Sequence, residues 1–132
     1  MTFVPFLPRL LSAAIIAAVM ALPGFAAETL KVGKFKGSGG HATSGGVSIV
    51  EQDGKYFVHL GDDFNHDGTA PDATVGLGNS GYVSATSMGK LRKNAGKQDY
   101  QLPDGIDPSK FNEVYIWCTE FAVPLEIGRA HV

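Results

Sequence analysis

Apolar and polar residues alternate in short runs along most of the chain beyond residue 28. Thr29 to Phe35 alternates, with Leu30 and Val32 on one face, and predicts a first strand. The chain then passes through Gly37-Ser38-Gly39-Gly40-His41-Ala42-Thr43-Ser44-Gly45-Gly46, whose composition predicts a long, flexible loop. Val47 to Val50 and Tyr56 to Leu60 flank Asp53-Gly54, and Asp-Gly between alternating runs predicts a β-hairpin. A polar, acidic connection over residues 61–72 leads to a short strand from Ala73 to Leu77, while Tyr82 to Ala85 and Leu91 fit neither template. Tyr100 to Leu102 reads as a strand stopped by Pro103, and Asp107-Pro108-Ser109-Lys110-Phe111 as one N-capped helical turn. The last clear element is Glu113-Val114-Tyr115-Ile116-Trp117-Cys118, followed by Phe121 to Leu125. Val114, Ile116 and Cys118 share one face of it and Tyr115 and Trp117 the other, so both faces are expected to be covered.

The first residues follow a different pattern. Arg9 precedes an apolar run from Leu10 to Leu22 of about 13 residues, short of the roughly 20 that a spanning helix needs. Pro23-Gly24 breaks that run before the small residues Ala26 and Ala27. Together these predict a signal peptide over 1–26, cleaved after Ala26, and a periplasmic or extracellular mature protein with no stable membrane span. No Cys follows the run at a position suited to lipid attachment. The remainder is long enough for one core and too short for two, so a single domain is expected over 27–125. Of the 17 Gly and 7 Pro of the whole chain, those in this part divide it into short segments of the kind found in an all-β fold, a small sandwich or barrel-like domain. The net charge of −2 and the absence of a basic stripe give no footprint for nucleic acid. Ile127-Gly128-Arg129-Ala130-His131-Val132 can be encoded by ATCGGAAGAGCACACGTC, the reading of a common short-read sequencing adapter. Residues 126–132 are therefore expected to be a non-native tail, His131 is given no functional weight, and resequencing the source clone checks the point.

Among chemical motifs, Asp63-Phe64-Asn65-His66-Asp67-Gly68 fits the opening of a calcium loop, with Asp63, Asn65 and Asp67 as candidate ligands. The position of the closing bidentate Glu holds Thr74, and the plainer reading is a solvated turn rich in Asp and Asn. The serines carry no G-x-S-x-G signature. His41, His59 and His66 with one Cys lack the short spacing of structural zinc, and His59 on its strand reads as a surface or pairing residue. Cys118 is the only cysteine, so no intramolecular disulfide forms, and a lone thiol in an oxidising compartment stands out. Three readings stay open for it: a small buried hydrophobe, a redox or intermolecular-disulfide thiol, and a thiolate ligand to a prosthetic group. The chain has no C-x-x-C-H motif for covalent haem attachment.

Four blocks resemble one known family. Gly40-His41-Ala42-Thr43-Ser44-Gly45 follows the first strand; Asp63-Phe64 precedes Ala70-Pro71-Asp72-Ala73-Thr74-Val75; Gly89-Lys90-Leu91 leads to Gly96-Lys97-Gln98-Asp99-Tyr100; and Val114-Tyr115-Ile116-Trp117-Cys118-Thr119-Glu120-Phe121 closes the series. In that order they are similar to the DM-thirteen domain, known as an electron-transfer domain, and the likeness runs from about Lys31 to Leu125. Ala70 stands where the family tends to have Gly, and the suspected tail takes the place of its closing strand. The resemblance implies an all-β extracytoplasmic domain whose cysteine, here Cys118, acts in redox as a free thiol or by binding a group such as haem. His41 would then be a nearby cation or a second ligand, with His59 as the other candidate ligand, and Trp117 and Phe121 an apolar wall. The leading expectation is an exported electron-transfer module centred on Cys118, serving an unknown redox partner protein. The alternative is a non-catalytic binding domain, calcium-stabilised through Asp63, Asn65 and Asp67, in which Cys118 only packs; a hydrolase comes third.

Overall fold

The computed structural model describes residues 2, 27–38, 40–70, 72–118 and 125–132; the apolar leader and Phe121 lie outside them. Its strands are β1 (Glu28–Gly37), β2 (Thr43–Ser44), β3 (Gly46–Gln52), β4 (Lys55–Leu60), β5 (Asn65–His66), β6 (Ala73–Gly78), β7 (Tyr82–Val83), β8 (Gln98–Gln101), β9 (Glu113–Cys118) and β10 (Leu125–His131). Eight of them form one antiparallel sheet in the order β7-β6-β9-β10-β1-β3-β4-β8, curled into a half-barrel, and β2 pairs separately with β5. Two 3₁₀ turns, Ser84–Thr86 and Pro108–Lys110, are the only helical segments among the described residues. The all-β expectation holds.

Local chemistry explains the best-defined joints. Asp53 and Gly54 both adopt positive φ, 54° and 74°, the pairing that a two-residue hairpin turn requires, and β3 and β4 close on them from Gln52↔Lys55. Asp107 caps the 3₁₀ turn at 108–110 by accepting from the Ser109 N–H at 2.9 Å. The Ser109 side chain and then its N–H hold the Asp107 carboxyl below the usual range.

Inside the curl, Ile49, Val58, Leu60, Val75, Leu77, Val114, Ile116 and Cys118 are fully buried. Phe35 and Phe64 meet edge to face at 5.5 Å, so the loop before β5 is anchored to β1. Tyr100 on β8 closes the far edge, its hydroxyl donating to Gln98 and accepting from the Arg92 N–H, and burial raises its phenol pKa.

Two expectations need amending. The Gly-rich stretch 37–46 does not run free: Thr43–Ser44 forms β2 and pairs with Asn65–His66. Leu30 and Val32 do not form a buried face: both are exposed, Val32 being 69% accessible, the register of β1 on β3 shifts between Thr29 and Lys31 so that the alternation breaks at Leu30, and the buried anchor of the strand is Phe35. Residues 125–131 form β10, between β9 and β1.

Candidate functional site

Strand β9 carries two sets of side chains to opposite faces, because successive residues of a strand point to opposite sides. Inward go Val114, Ile116 and Cys118. Outward go Glu113, Tyr115 and Trp117.

Cys118 is fully buried and reduced, opposite Ala73 of β6 on one side and Leu125 of β10 on the other. Its thiol makes no hydrogen bond among the described residues. A haem ligated by this sulfur would need an open wall beside it. Two clefts among the described residues, one lined by Tyr56, Leu102 and Ile106 and the other by Val32, Val47 and His59, do not include Cys118. Among the described residues, Cys118 thus sits within the apolar core.

On the outer face, Tyr82 stacks on Trp117 at 4.7 Å and 15°, and Tyr115 meets Trp117 edge-on at 5.9 Å. Space for these rings comes from β6, where Gly76 lies opposite Tyr115 and Gly78 opposite Glu113. A Cβ at Gly76 would stand 2.3 Å from Cε2 of Tyr82. Behind the rings, Tyr115 is 1% exposed and its hydroxyl donates to Oε1 of Glu113 at 3.1 Å. Glu113, also buried, accepts from the Ser80 N–H and faces Arg129 Nε at 3.4 Å.

A second cluster forms where β2 meets β5. Asp67 Oδ2 accepts from the Ala42 N–H at 2.8 Å, and Oδ1 accepts from the N–H and hydroxyl of Thr69 at 3.0 and 2.7 Å. The Ala42 bond first, then those from Thr69, hold the Asp67 carboxyl far below the usual carboxylate range. Since the Thr69 hydroxyl is donated to Asp67, its oxygen accepts from Nδ1–H of His41 at 2.5 Å. His66 is 3% exposed; its Nδ1 lies 3.1 Å from Thr43 Oγ1, and its buried Nε2 has no hydrogen-bond partner among the described residues. Burial lowers its pKa, with the nearby Asp67 opposing.

The structure thus brings His41 to His66 and Asp67, with ring centroids of the two histidines 6.3 Å apart, and shows no hydrogen bond from His41 to Cys118. Asp63 accepts from the Gly46 N–H at 2.8 Å, Asn65 pairs with Ser44, and Asp67 is occupied as above. One oxygen of Asp63 and both of Asp67 thus help to hold loops together. No group of three or more His, Cys, Asp or Glu side chains among the described residues is spaced to hold a metal ion. His59 pairs with Asp99 across β4 and β8. Sequence reasoning gave no part to Glu113, Tyr82 or Thr69. For Glu113 a signal was present: a carboxylate opening a strand with both faces covered has to be buried with a partner.

No curated protein and no solved structure matches the chain. A family model does, described as Electron transfer DM13, over residues 34–131. The match begins on β1, takes in both clusters and all of β9, and covers roughly three quarters of the 132 residues. No helix among the described residues is long and apolar enough to cross a membrane. An alignment of that extent across one continuous sheet places the whole β domain in the Electron transfer DM13 family, and to that family the chain belongs.

Proposed function

We propose that this protein is an exported electron-transfer module centred on Cys118 and serving a redox partner protein. The observation that carries the reading is the family match over 34–131, which contains the chain's one cysteine. The burial of that cysteine shapes how such a role would work. Thiol–disulfide exchange requires one sulfur to attack another directly. A fully buried Cys118 offers no such approach in the closed fold, whereas electron exchange at a distance needs no contact. Export rests on the leader over 1–26.

Protein-film voltammetry tests the redox part. The secreted protein should give a wave that disappears in Cys118→Ala and survives in His41→Ala. A wave that persists in Cys118→Ala removes the cysteine from the centre of the function, and a silent wild-type protein removes electron transfer itself. An absorption spectrum of the same sample reads any bound chromophore. Mass spectrometry of the secreted protein should find its N-terminus at Ala27; an intact leader overturns the export reading.

A further inference from the structure

We propose that Trp117, Tyr115 and Glu113 form a one-electron relay on the outer face of β9, in which an oxidising equivalent delivered at Trp117 passes to Tyr115 while the phenol proton moves to Glu113. The proposal rests on the electron-transfer reading and names where a single equivalent enters and where it is held. It concerns the face of the sheet opposite Cys118.

Three observations carry it. The first is proximity: the Trp117 and Tyr115 rings lie 5.9 Å apart, on a floor that Gly76 and Gly78 keep clear of side chains. The second is graded exposure. Trp117 is half-buried and reachable from outside, while Tyr115 is 1% exposed, so the equivalent moves from an accessible ring to a protected one. The third is the proton. Removing an electron from a phenol makes its O–H strongly acidic, so a tyrosine is oxidised readily only where a base stands ready. Tyr115 donates to Oε1 of the buried Glu113 at 3.1 Å. Tyr82 stacks more closely on Trp117, but its hydroxyl has no hydrogen-bond partner among the described residues. The acceptor therefore selects Tyr115 over Tyr82. A plain packing cluster on a sheet face does not require a carboxylate buried at the phenol oxygen, since burying an ionised group is costly unless it is hydrogen-bonded and paired.

The steps balance. A high-potential one-electron oxidant, of the high-valent metal or photo-excited dye class, takes one electron from the Trp117 indole and is reduced by one. Tyr115 gives one electron to the indole, restoring it, and its hydroxyl proton goes to Glu113 Oε1. What remains is a neutral phenoxyl radical beside a protonated Glu113. One electron from a reductant, with the proton returned from Glu113, regenerates the starting state.

Flash oxidation with a ruthenium polypyridyl dye and a sacrificial electron acceptor tests this on the mature protein. Trp117 is the single Trp of the chain, so the indole radical is unambiguous. In the wild type a phenoxyl signal should grow in as the indole signal decays. In Tyr115→Phe, which removes only the hydroxyl and keeps the ring packing, the phenoxyl should be lost and the indole radical should live several-fold longer. Glu113→Gln, confirmed as folded by circular dichroism, should slow the transfer several-fold, and Tyr82→Phe should leave it intact. Equal indole lifetimes in wild type and Tyr115→Phe overturn the proposal, as does a phenoxyl that vanishes in Tyr82→Phe and persists in Tyr115→Phe. Cys118→Ser separates the two readings. Relay kinetics should be unchanged in it, so a failed relay beside an intact voltammetric wave refutes the relay alone. A working relay in a protein with no cysteine-dependent wave refutes only the cysteine-centred function.

Discussion

The burial of Cys118 makes a quantitative prediction about its reactivity toward an aromatic disulfide reagent in water. β9 is held on both sides, paired to β6 from Ala73↔Cys118 to Gly78↔Glu113 and to β10 from Leu125↔Cys118 to His131↔Glu113. If the sulfur is exposed only when this part of the sheet opens as a unit, the reactive fraction follows the unfolding equilibrium. Small domains have stabilities of about 5 to 15 kcal/mol, and at the lower end the open form is about one molecule in several thousand. The native thiol should therefore react at least about a thousandfold more slowly than the thiol of the denatured chain. The assay is stopped-flow thiol titration through a series of sub-denaturing guanidinium concentrations, with the fully unfolded protein as reference. The rate should rise with denaturant along the slope of global unfolding. A thiol that titrates at once, with no dependence on denaturant, refutes the reasoning: it would mean that the end of β9 opens locally and that direct exchange with a partner thiol is available.

Further outcomes follow from the same geometry. Gly76→Ala sets a methyl 2.3 Å from the Tyr82 ring, and overpacking of this kind should lower stability by about 1–3 kcal/mol and shift Trp117 emission; an unchanged melting curve and spectrum would contradict the packing of the outer face. His66 has a folded pKa below its unfolded value of about 6.5, so its contribution to stability is full above that pH and is lost as pH falls through the lowered folded value. Asp67, also depressed, contributes above the unfolded carboxylate value of about 3.9, and that contribution is lost at lower pH still. Chemical denaturation across this range should show stability declining below about pH 6.5, with His66→Gln flattening the upper part of the decline and Asp67→Asn the lower; parallel curves would disprove the assignment. Melting curves in calcium and in chelator should coincide, because one oxygen of Asp63 and both of Asp67 already accept from backbone N–H groups. A calcium-dependent rise in Tm would restore those residues as a cation site.

What was legible in the sequence was what neighbouring residues decide. The Asp53-Gly54 turn, the Asp107 cap and the alternation of Val114, Ile116 and Cys118 against Tyr115 and Trp117 each depend on a few adjacent side chains. The burial of Cys118 followed from that alternation. The rest depends on pairings between distant segments. β2 and β5 are two residues each, too short for any period to show, and their union buries His66 inside an otherwise acidic loop. Tyr82 reaches Trp117 only because β6 lies between β7 and β9. Leu30 and Val32 alternate as a buried strand would, and the register shift beside Leu30 is a tertiary event with no local cue.

The clasp at Asp67 has a consequence for how the surface meets proteases and engineers. Asp67 bonds Ala42 twice, its carboxylate taking the Ala42 N–H and its own N–H reaching the Ala42 carbonyl at 3.0 Å. A stretch as rich in glycine as 37–46 is ordinarily where limited digestion cuts first and where an inserted tag is tolerated. Here both flanks of that stretch are sewn to the sheet, Gly37 by its pairing with Gly128 of β10, and the far end by Gly45 O accepting from the Phe35 N–H and Gly46 O from the Gly61 N–H. A reporter peptide spliced between Ala42 and Thr43 would unpick the joint between two loops, whereas the exposed Asp104-Gly105 turn offers a splice point free of that seam.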